Sequence, residues 1–188
     1  MLADFIALRP AGGFGLIMAD PPWAYEMRSE KGYAKSPQAQ YACMPAADIL
    51  DMPVEALAAP DCLLWLWALK TMLPQALAVI EAWGFEYKTS GHWAKMTRHG
   101  KQHFGQGYLL RDAGDPFLIA TRGAPRTTKS VRSVVFGKTR EHSRKPEEAY
   151  LEAERLMPDA RRLDLFSRQR RAGWAAWGNE VEKFAVAP

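Results

Sequence analysis

The chain has 188 residues, 48% of them hydrophobic, and a formal net charge of +4; that length suits one domain, residues 1–188, able to bury roughly two-thirds of its unfolded surface without staples. Its two cysteines, Cys43 and Cys62, form no CxxC pair, which points to a reducing, cytoplasmic setting and excludes a disulfide scaffold or structural zinc. No apolar run approaches the roughly 20 residues of a membrane span, and the N-terminus opens on an acid, Asp4, instead of a basic signal region.

The apolar run Phe14–Ala19 predicts a strand that leads directly into Asp20-Pro21-Pro22-Trp23. Two prolines stiffen the backbone beside a carboxylate and a flat ring, a combination suited to holding a planar amine. Adenine's exocyclic nitrogen is a poor nucleophile because its lone pair is delocalised into the ring. An enzyme that alkylates it needs acceptors to draw density back: Asp20 for one amino hydrogen, a prolyl carbonyl for the other, and Trp23 to stack on the base. Asp-Pro is also ordinary punctuation after a strand.

Residues 24–45 read as a long polar loop, and long loops in compact domains are usually functional. Ala46–Leu57 predicts one or two short helices, Cys62–Ala68 a strand covered on both faces, and Met72–Trp83 a helix stopped at Gly84. Phe85–Lys95 and Phe117–Thr121 are expected strands around a basic loop at Arg98–Arg111. Lys145-Pro146-Glu147-Glu148 opens a helix running to about Met157, with acids placed well for the helix dipole. Arg162–Phe166 is the last clear strand, and Trp174–Trp177 starts or closes one further short element. This alternation predicts an α/β fold, a mostly parallel sheet with helices on both faces. Ligands of such sheets gather beyond the carboxyl ends of the strands, so Asp20 and Arg168 are expected to line one cleft.

Charge is uneven. Residues 1–86 hold five basic and ten acidic side chains, residues 87–145 thirteen and three, and residues 146–188 seven and eight. No acid lies between Pro116 and Arg140, where Arg122, Arg126, Lys129, Arg132 and Lys138 recur beside Ser, Thr and Gly. A single-signed block of this kind is the footprint of phosphate contact, or else a solvated loop. Arg122, His142 and Arg144 are taken as substrate-binding candidates. His99 and His103, four apart, lack a third ligand, so no metal is expected. Gly12-Gly13-Phe14-Gly15 precedes its strand instead of following it, which removes the turn a nicotinamide fold needs.

Taken together, Ala19–Trp23, Tyr41–Met44, Glu81–Phe85, Ala120–Gly123, Arg140–Pro146, Leu163–Phe166, Gly173-Trp174 and Trp177–Glu180 make the chain resemble, over nearly its whole length, the DPPW-type adenine-N6 methyltransferases, especially small bacterial and phage members. The family includes the catalytic subunit of the messenger-RNA adenosine methyltransferase. The resemblance implies a Rossmann-like fold binding S-adenosylmethionine, in permuted order, with the catalytic motif first and the donor half last. It places Asp20, Pro21, Pro22 and Trp23 at the catalytic positions, and Phe166 and Arg168 beside the donor. Asn179 and Glu180 would hold its ribose, as an amide or carboxylate accepting from a vicinal diol can. Lys145 would face the donor or the acceptor pocket, and Tyr41 the target base. The implied partner is nucleic acid, DNA favoured and RNA possible, with a homodimer or partner subunit also open. Rival readings are methylation of a protein amide, which the basic middle segment disfavours, and a non-catalytic partner of the same fold. Ser167 and Asp115 depart from the family's usual glycine and glutamate, and residues 96–115 match least well.

Overall fold

The computed structural model describes residues 2–24, 43–107, 109–141 and 144–184. Tyr41 and His142, both expected near the acceptor, lie outside them.

Among the described residues, seven strands form one sheet: β1 (Phe14–Ala19), β2 (Ala58–Trp67), β3 (Glu86–Met96), β4 (Gly114–Arg122), β5 (Val134–Lys138), β6 (Arg162–Leu165) and β7 (Trp174–Trp177). Their spatial order is β5-β3-β4-β2-β1-β6-β7. β1 pairs in parallel with β2 and β6, β6 with β7, and β3 with β5, whereas β4 is antiparallel to both β2 and β3. Only β4 is reversed. The chain leaves β1 towards β2 on one side and returns to β6 on the other, which makes the β1/β6 boundary the point where the winding changes direction.

Alternation along the central strands builds two apolar layers. Ile17, Ala19, Leu64 and Leu66 face one way, against α1 (Leu2–Ala7), α2 (Ala46–Leu50) and α3 (Leu73–Ala82) through Phe5, Ile49, Val79 and Ile80. Leu16, Met18, Leu63, Trp65 and Trp67 face the other way, against α4 (Glu147–Leu156) through Ala149, Tyr150 and Ala153. A strand apolar on both faces reads as a continuous run, which explains Leu63–Trp67. Trp65 stacks on Phe117 at 4.1 Å between ring centroids, and Trp67 meets Phe117 edge-on at 5.4 Å. Trp65 and Trp67 are therefore core residues, as expected of them; burying a large apolar side chain contributes about 1.5–3 kcal/mol.

Two elements were not foreseen: the short helix α1 and strand β5. β5 lies within the stretch read as a basic loop, where Val134, Val135 and Phe136 supply the β-branched and aromatic residues a strand favours. Strand β2 also starts earlier than the apolar run suggests, at Ala58, and passes through Pro60.

Candidate active site

Asp20 stands at the carboxyl end of β1, its backbone N–H still donating to Leu165 O at 3.3 Å, so the ladder with β6 aims it at the winding boundary. The next residues are fixed by their own backbone. Pro21 O accepts from the Trp23 amide at 2.8 Å, Pro22 O accepts from the Met44 amide at 2.8 Å, and the Ala24 amide donates to Met44 O at 3.2 Å. Each prolyl carbonyl thus has one acceptor position used, and carbonyl oxygens have two.

Trp23 corrects an expectation. It is 3% exposed, packed in the core, and its indole N–H donates to Trp67 O at 3.2 Å. A ring committed to the core does not stack on a substrate base; it locks the turn that carries Asp20 and the prolines.

The Lys145 ammonium lies 2.9 Å from Asp20 Oδ1 and 5.3 Å from the Trp67 ring centroid. Burial raises the Asp20 pKa above the ordinary carboxylate value, against the opposing pull of Lys145. Burial acts to lower that of Lys145, but the charges of Asp20 and Asp115 outweigh it and the net direction is upward. Lys145 thus stays a cation beside a carboxylate that holds protons more readily than usual. Asp115 reaches this pair because β4 is reversed: its start, not its end, lies at the edge where Asp20 sits.

Across the boundary, Phe166 follows β6 with a left-handed backbone, φ 61°, a conformation costly for a bulky residue. The Ser167 amide donates to Trp177 O at 2.9 Å, and Gly178 packs so closely that a Cβ there would lie 2.5 Å from Ser167 O. Only glycine permits that approach. Arg168 Nε is 2.8 Å from Glu180 Oε2, and Lys183 is 2.5 Å from Glu180 Oε1, so the Glu180 carboxylate is gripped from both sides. Arg144 pairs with Glu141 at 3.0 Å, donates to Gln169 Oε1, and lies 4.6 Å from the Phe184 ring. It braces the wall of the site instead of reaching out of it.

Asp20, Pro21, Pro22, Met44, Phe166, Ser167, Arg168, Trp177, Asn179 and Glu180 line one cavity of about 270 Å³, near the lower end of ligand-site sizes. Seven of the expected site residues converge there, and Lys145 and Arg144 border an adjoining void of about 20 Å³ that also touches Asp20. The lining suits an adenosyl group: Phe166 and Trp177 offer ring faces, Asn179 and Glu180 the acceptors a ribose diol needs.

Arg122 does not converge. It ends the reversed strand opposite Cys62, at the far edge of the sheet, and pairs with Glu55 at 3.4 Å. The basic segment is divided accordingly: it leaves Arg122 at the far edge, passes the end of α4 where the Thr128 amide donates to Leu156 O, and is back level with His92 by Ser133, so that β5, Lys138 and Arg140 lie on the cleft side.

A buried network beneath the cavity was missed by sequence reasoning. Asp164, inside β6 and 3% exposed, accepts from Ser167 Oγ at 2.8 Å and Tyr150 OH at 3.2 Å, and its carboxylate is 3.2 Å from Arg171. Arg171 in turn meets Glu147 at 3.1 Å and lies 3.4 Å from the Tyr150 ring centroid. Burial pushes the Asp164 pKa up to about 7 despite these donors. The signal was an acid between two leucines of a buried run.

Among the described residues, no three His, Cys, Asp or Glu gather as metal ligands, and no helix is long and apolar enough to cross a membrane.

A mostly parallel sheet with helices against both faces, and a cavity beyond the carboxyl ends of its strands where the winding reverses, defines a doubly wound α/β protein with its candidate site at the usual ligand position of such sheets. The chain belongs to the MT-A70 family of adenine-N6 methyltransferases, whose model matches residues 14–180. It is 30% identical over 179 residues to an N(6)-adenosine-methyltransferase MT-A70-like protein of Arabidopsis thaliana, covering 90% of this chain and 24% of that protein. To the type II methyltransferase M.MunI of a Mycoplasma it is 27% identical over 192 residues, 92% of this chain and 79% of the relative. To human N(6)-adenine-specific methyltransferase METTL4 it is 28% identical over 205 residues, 98% of this chain and 42% of the relative. The chain thus spans about a quarter of the plant relative's length. The family implies a methyltransferase fold, and MT-A70 methyltransferases use S-adenosylmethionine.

Proposed function

We propose that this chain transfers a methyl group from S-adenosylmethionine to the exocyclic N6 amine of adenine in nucleic acid, acting as a single methyltransferase domain of permuted, Rossmann-like order. The observation that carries the reading is the Asp20–Lys145 pair standing beside a cavity whose other wall offers rings and diol acceptors. Phe166 and Trp177 would flank the donor's adenine, Asn179 and Glu180 its ribose, and Arg168 would keep Glu180 in place. The donor supplies an electrophilic methyl group when bound.

The chain's own residues hold the acceptor. Asp20 accepts one amino hydrogen and a prolyl carbonyl the other, which concentrates electron density on nitrogen as the base is placed for in-line attack. Such positioning can supply roughly 7 to 11 kcal/mol of the barrier reduction at best. Asp20, with its raised pKa, takes the proton released after transfer. Lys145 keeps that carboxylate oriented and balances its charge.

DNA is the favoured acceptor, because the chain matches most of the length of a compact type II methyltransferase but only a fraction of its larger relatives. RNA is the second reading, supported by a 31% identity to a Cryphonectria parasitica N6-methyladenosine RNA methyltransferase. Transfer of labelled methyl to matched single-stranded DNA, duplex DNA and RNA, followed by digestion to nucleosides, tests both. N6-methyladenine from DNA supports the favoured reading and from RNA alone the second. Donor binding without transfer to any of the three points instead to a missing partner subunit or to a non-catalytic binding role.

A further inference from the structure

The described residues between β3 and β4, 97–107 and 109–113, form a hairpin on the same edge of the sheet as Asp20. Its backbone is tied across: the Thr97 amide donates to Lys101 O at 2.7 Å, Gly105 to Asp112 O at 2.7 Å, and Asp112 to Gln106 O at 3.2 Å. Gly107 closes the turn so tightly that a Cβ there would lie 1.8 Å from Leu110 O. At the base, Asp112 is clamped by Lys70 at 2.5 Å and Lys95 at 3.1 Å, and Lys95 reaches Asp115 at 2.8 Å. The charge of Asp115 acts on both Asp20 and Lys145, as does that of Arg168, so the hairpin is anchored at the margin of the catalytic pair.

This anchored hairpin displays its apolar side chains outward. Leu109 is 90% exposed, Leu110 85% and Phe104 75%. Clustered exposed apolar groups on a soluble domain mark a contact surface. Their setting identifies the contact: from Thr97 to Arg111 the chain carries Arg98, Lys101 and Arg111 and no acid, and the Arg111 guanidinium lies 5.0 Å from the Phe104 ring. A ligand matching this surface carries negative charge along its outside and flat apolar faces within. Stacked bases between phosphate backbones have both.

We propose that this hairpin is a wedge for duplex DNA: Leu109 and Leu110 enter the base stack beside the target and hold the gap open when the adenine turns out towards Asp20, while Arg98, Lys101 and Arg111 meet phosphates. The proposal rests on the methyl-transfer reading and adds to it that the substrate is double-stranded. Apolar side chains are the usual means of unstacking a base step, and a base inside a duplex is otherwise out of an enzyme's reach.

The test uses Leu109→Ala/Leu110→Ala, both surface changes, with methyl transfer to one sequence as single strand, as duplex, and as duplex mismatched at the target adenine. Transfer to the matched duplex should fall at least tenfold, transfer to the single strand should stay within twofold, and the mismatch, which eases extrusion, should restore most of the loss. Binding of a duplex carrying 2-aminopurine at the target position should raise its fluorescence with the wild-type protein and not with the variant. Equal loss on single strand and duplex, or no loss on either, overturns the wedge, as does a change in the variant's mass by light scattering, which assigns the leucines to a protein interface. A wild-type chain that transfers no methyl group refutes the activity instead, and the fluorescence arm still decides the wedge: no rise with wild type overturns it.

Discussion

Lys145 Nζ and Asp20 Oδ1 are 2.9 Å apart, one carried by the segment entering α4 and the other by the end of β1. Lys145 sits over the Trp67 ring, and both members of the pair are largely withdrawn from solvent. A nearby cation favours the ionised form of a carboxylate, by one to three pH units in typical cases. Lys145→Met removes that cation and leaves only the weaker pull of Arg168 against burial, so the Asp20 pKa rises further. The acidic limb of the kcat/KM profile should then move about one to three units towards higher pH. An unshifted limb would show that Asp20 ionisation does not limit transfer.

Asp20→Ala removes an acceptor from the amine while leaving the opposite wall of the cavity intact. Transfer should fall by about 10² to 10⁴, the usual span for a proton-transfer group, with donor affinity by calorimetry near that of the wild type. Near-normal turnover would remove Asp20 from the chemistry.

Trp23→Phe separates locking from stacking. Loss of the indole N–H leaves Trp67 O without its donor in a buried place, at a cost of about 1–3 kcal/mol. The denaturant midpoint should drop accordingly, with the affinity for adenine-containing oligonucleotide unchanged in the fraction still folded. A selective loss of oligonucleotide affinity with full stability would restore the stacking role.

Asp164 makes stability depend on pH in a direction unusual for a carboxylate. Its folded pKa stands near 7, raised by burial, against an ordinary 3.8. Over that interval the folded protein holds a proton the unfolded chain has released, so stability falls as pH rises from about 4 to 7, by at most about 4 kcal/mol. Glu147 acts oppositely: despite burial, Arg171 and Arg140 hold its pKa at about 2, and its contribution is lost as pH falls below the ordinary 4.5. Urea unfolding of Asp164→Asn between pH 2 and 8 should lose the decline on the neutral side and keep the acid limb. A neutral-side decline as steep as wild type would exonerate Asp164.

Arg122→Ala, at the far edge of the sheet, should leave methyl transfer within twofold of wild type. A tenfold fall would mean that nucleic acid wraps around to that edge.

Strands were legible where burial on both faces writes an unbroken apolar run, as in Phe14–Ala19 and Leu63–Trp67. The site was legible where a polar residue ends such a run, as Asp20 does. What the chain order concealed was direction. Arg122 and Asp115 are seven positions apart, and nothing local says that β4 runs backwards and sends them to opposite edges. β5 was hidden by its neighbours, since Arg132 and Lys138 made the whole stretch resemble a solvated loop. Trp23 was misjudged because a motif shows that a ring is present, not which way the packing turns it. Asp164 was overlooked although its place between Leu163 and Leu165 is itself unusual, because a buried acid acquires meaning only from Tyr150, Ser167 and Arg171, which come from distant parts of the chain.

The reversal of β4 has a consequence for how such a protein diversifies. Antiparallel neighbours are joined by a simple turn, whereas every parallel pair needs a crossover threaded over the sheet. The β3–β4 connection is therefore a segment at the Asp20 edge that can lengthen or change without re-threading the core, and doubling a loop adds only about 0.6 kcal/mol of closure entropy. Descendants of one ancestral sheet could exchange this hairpin like a tool head, keeping the reaction and altering the molecule on which it is performed.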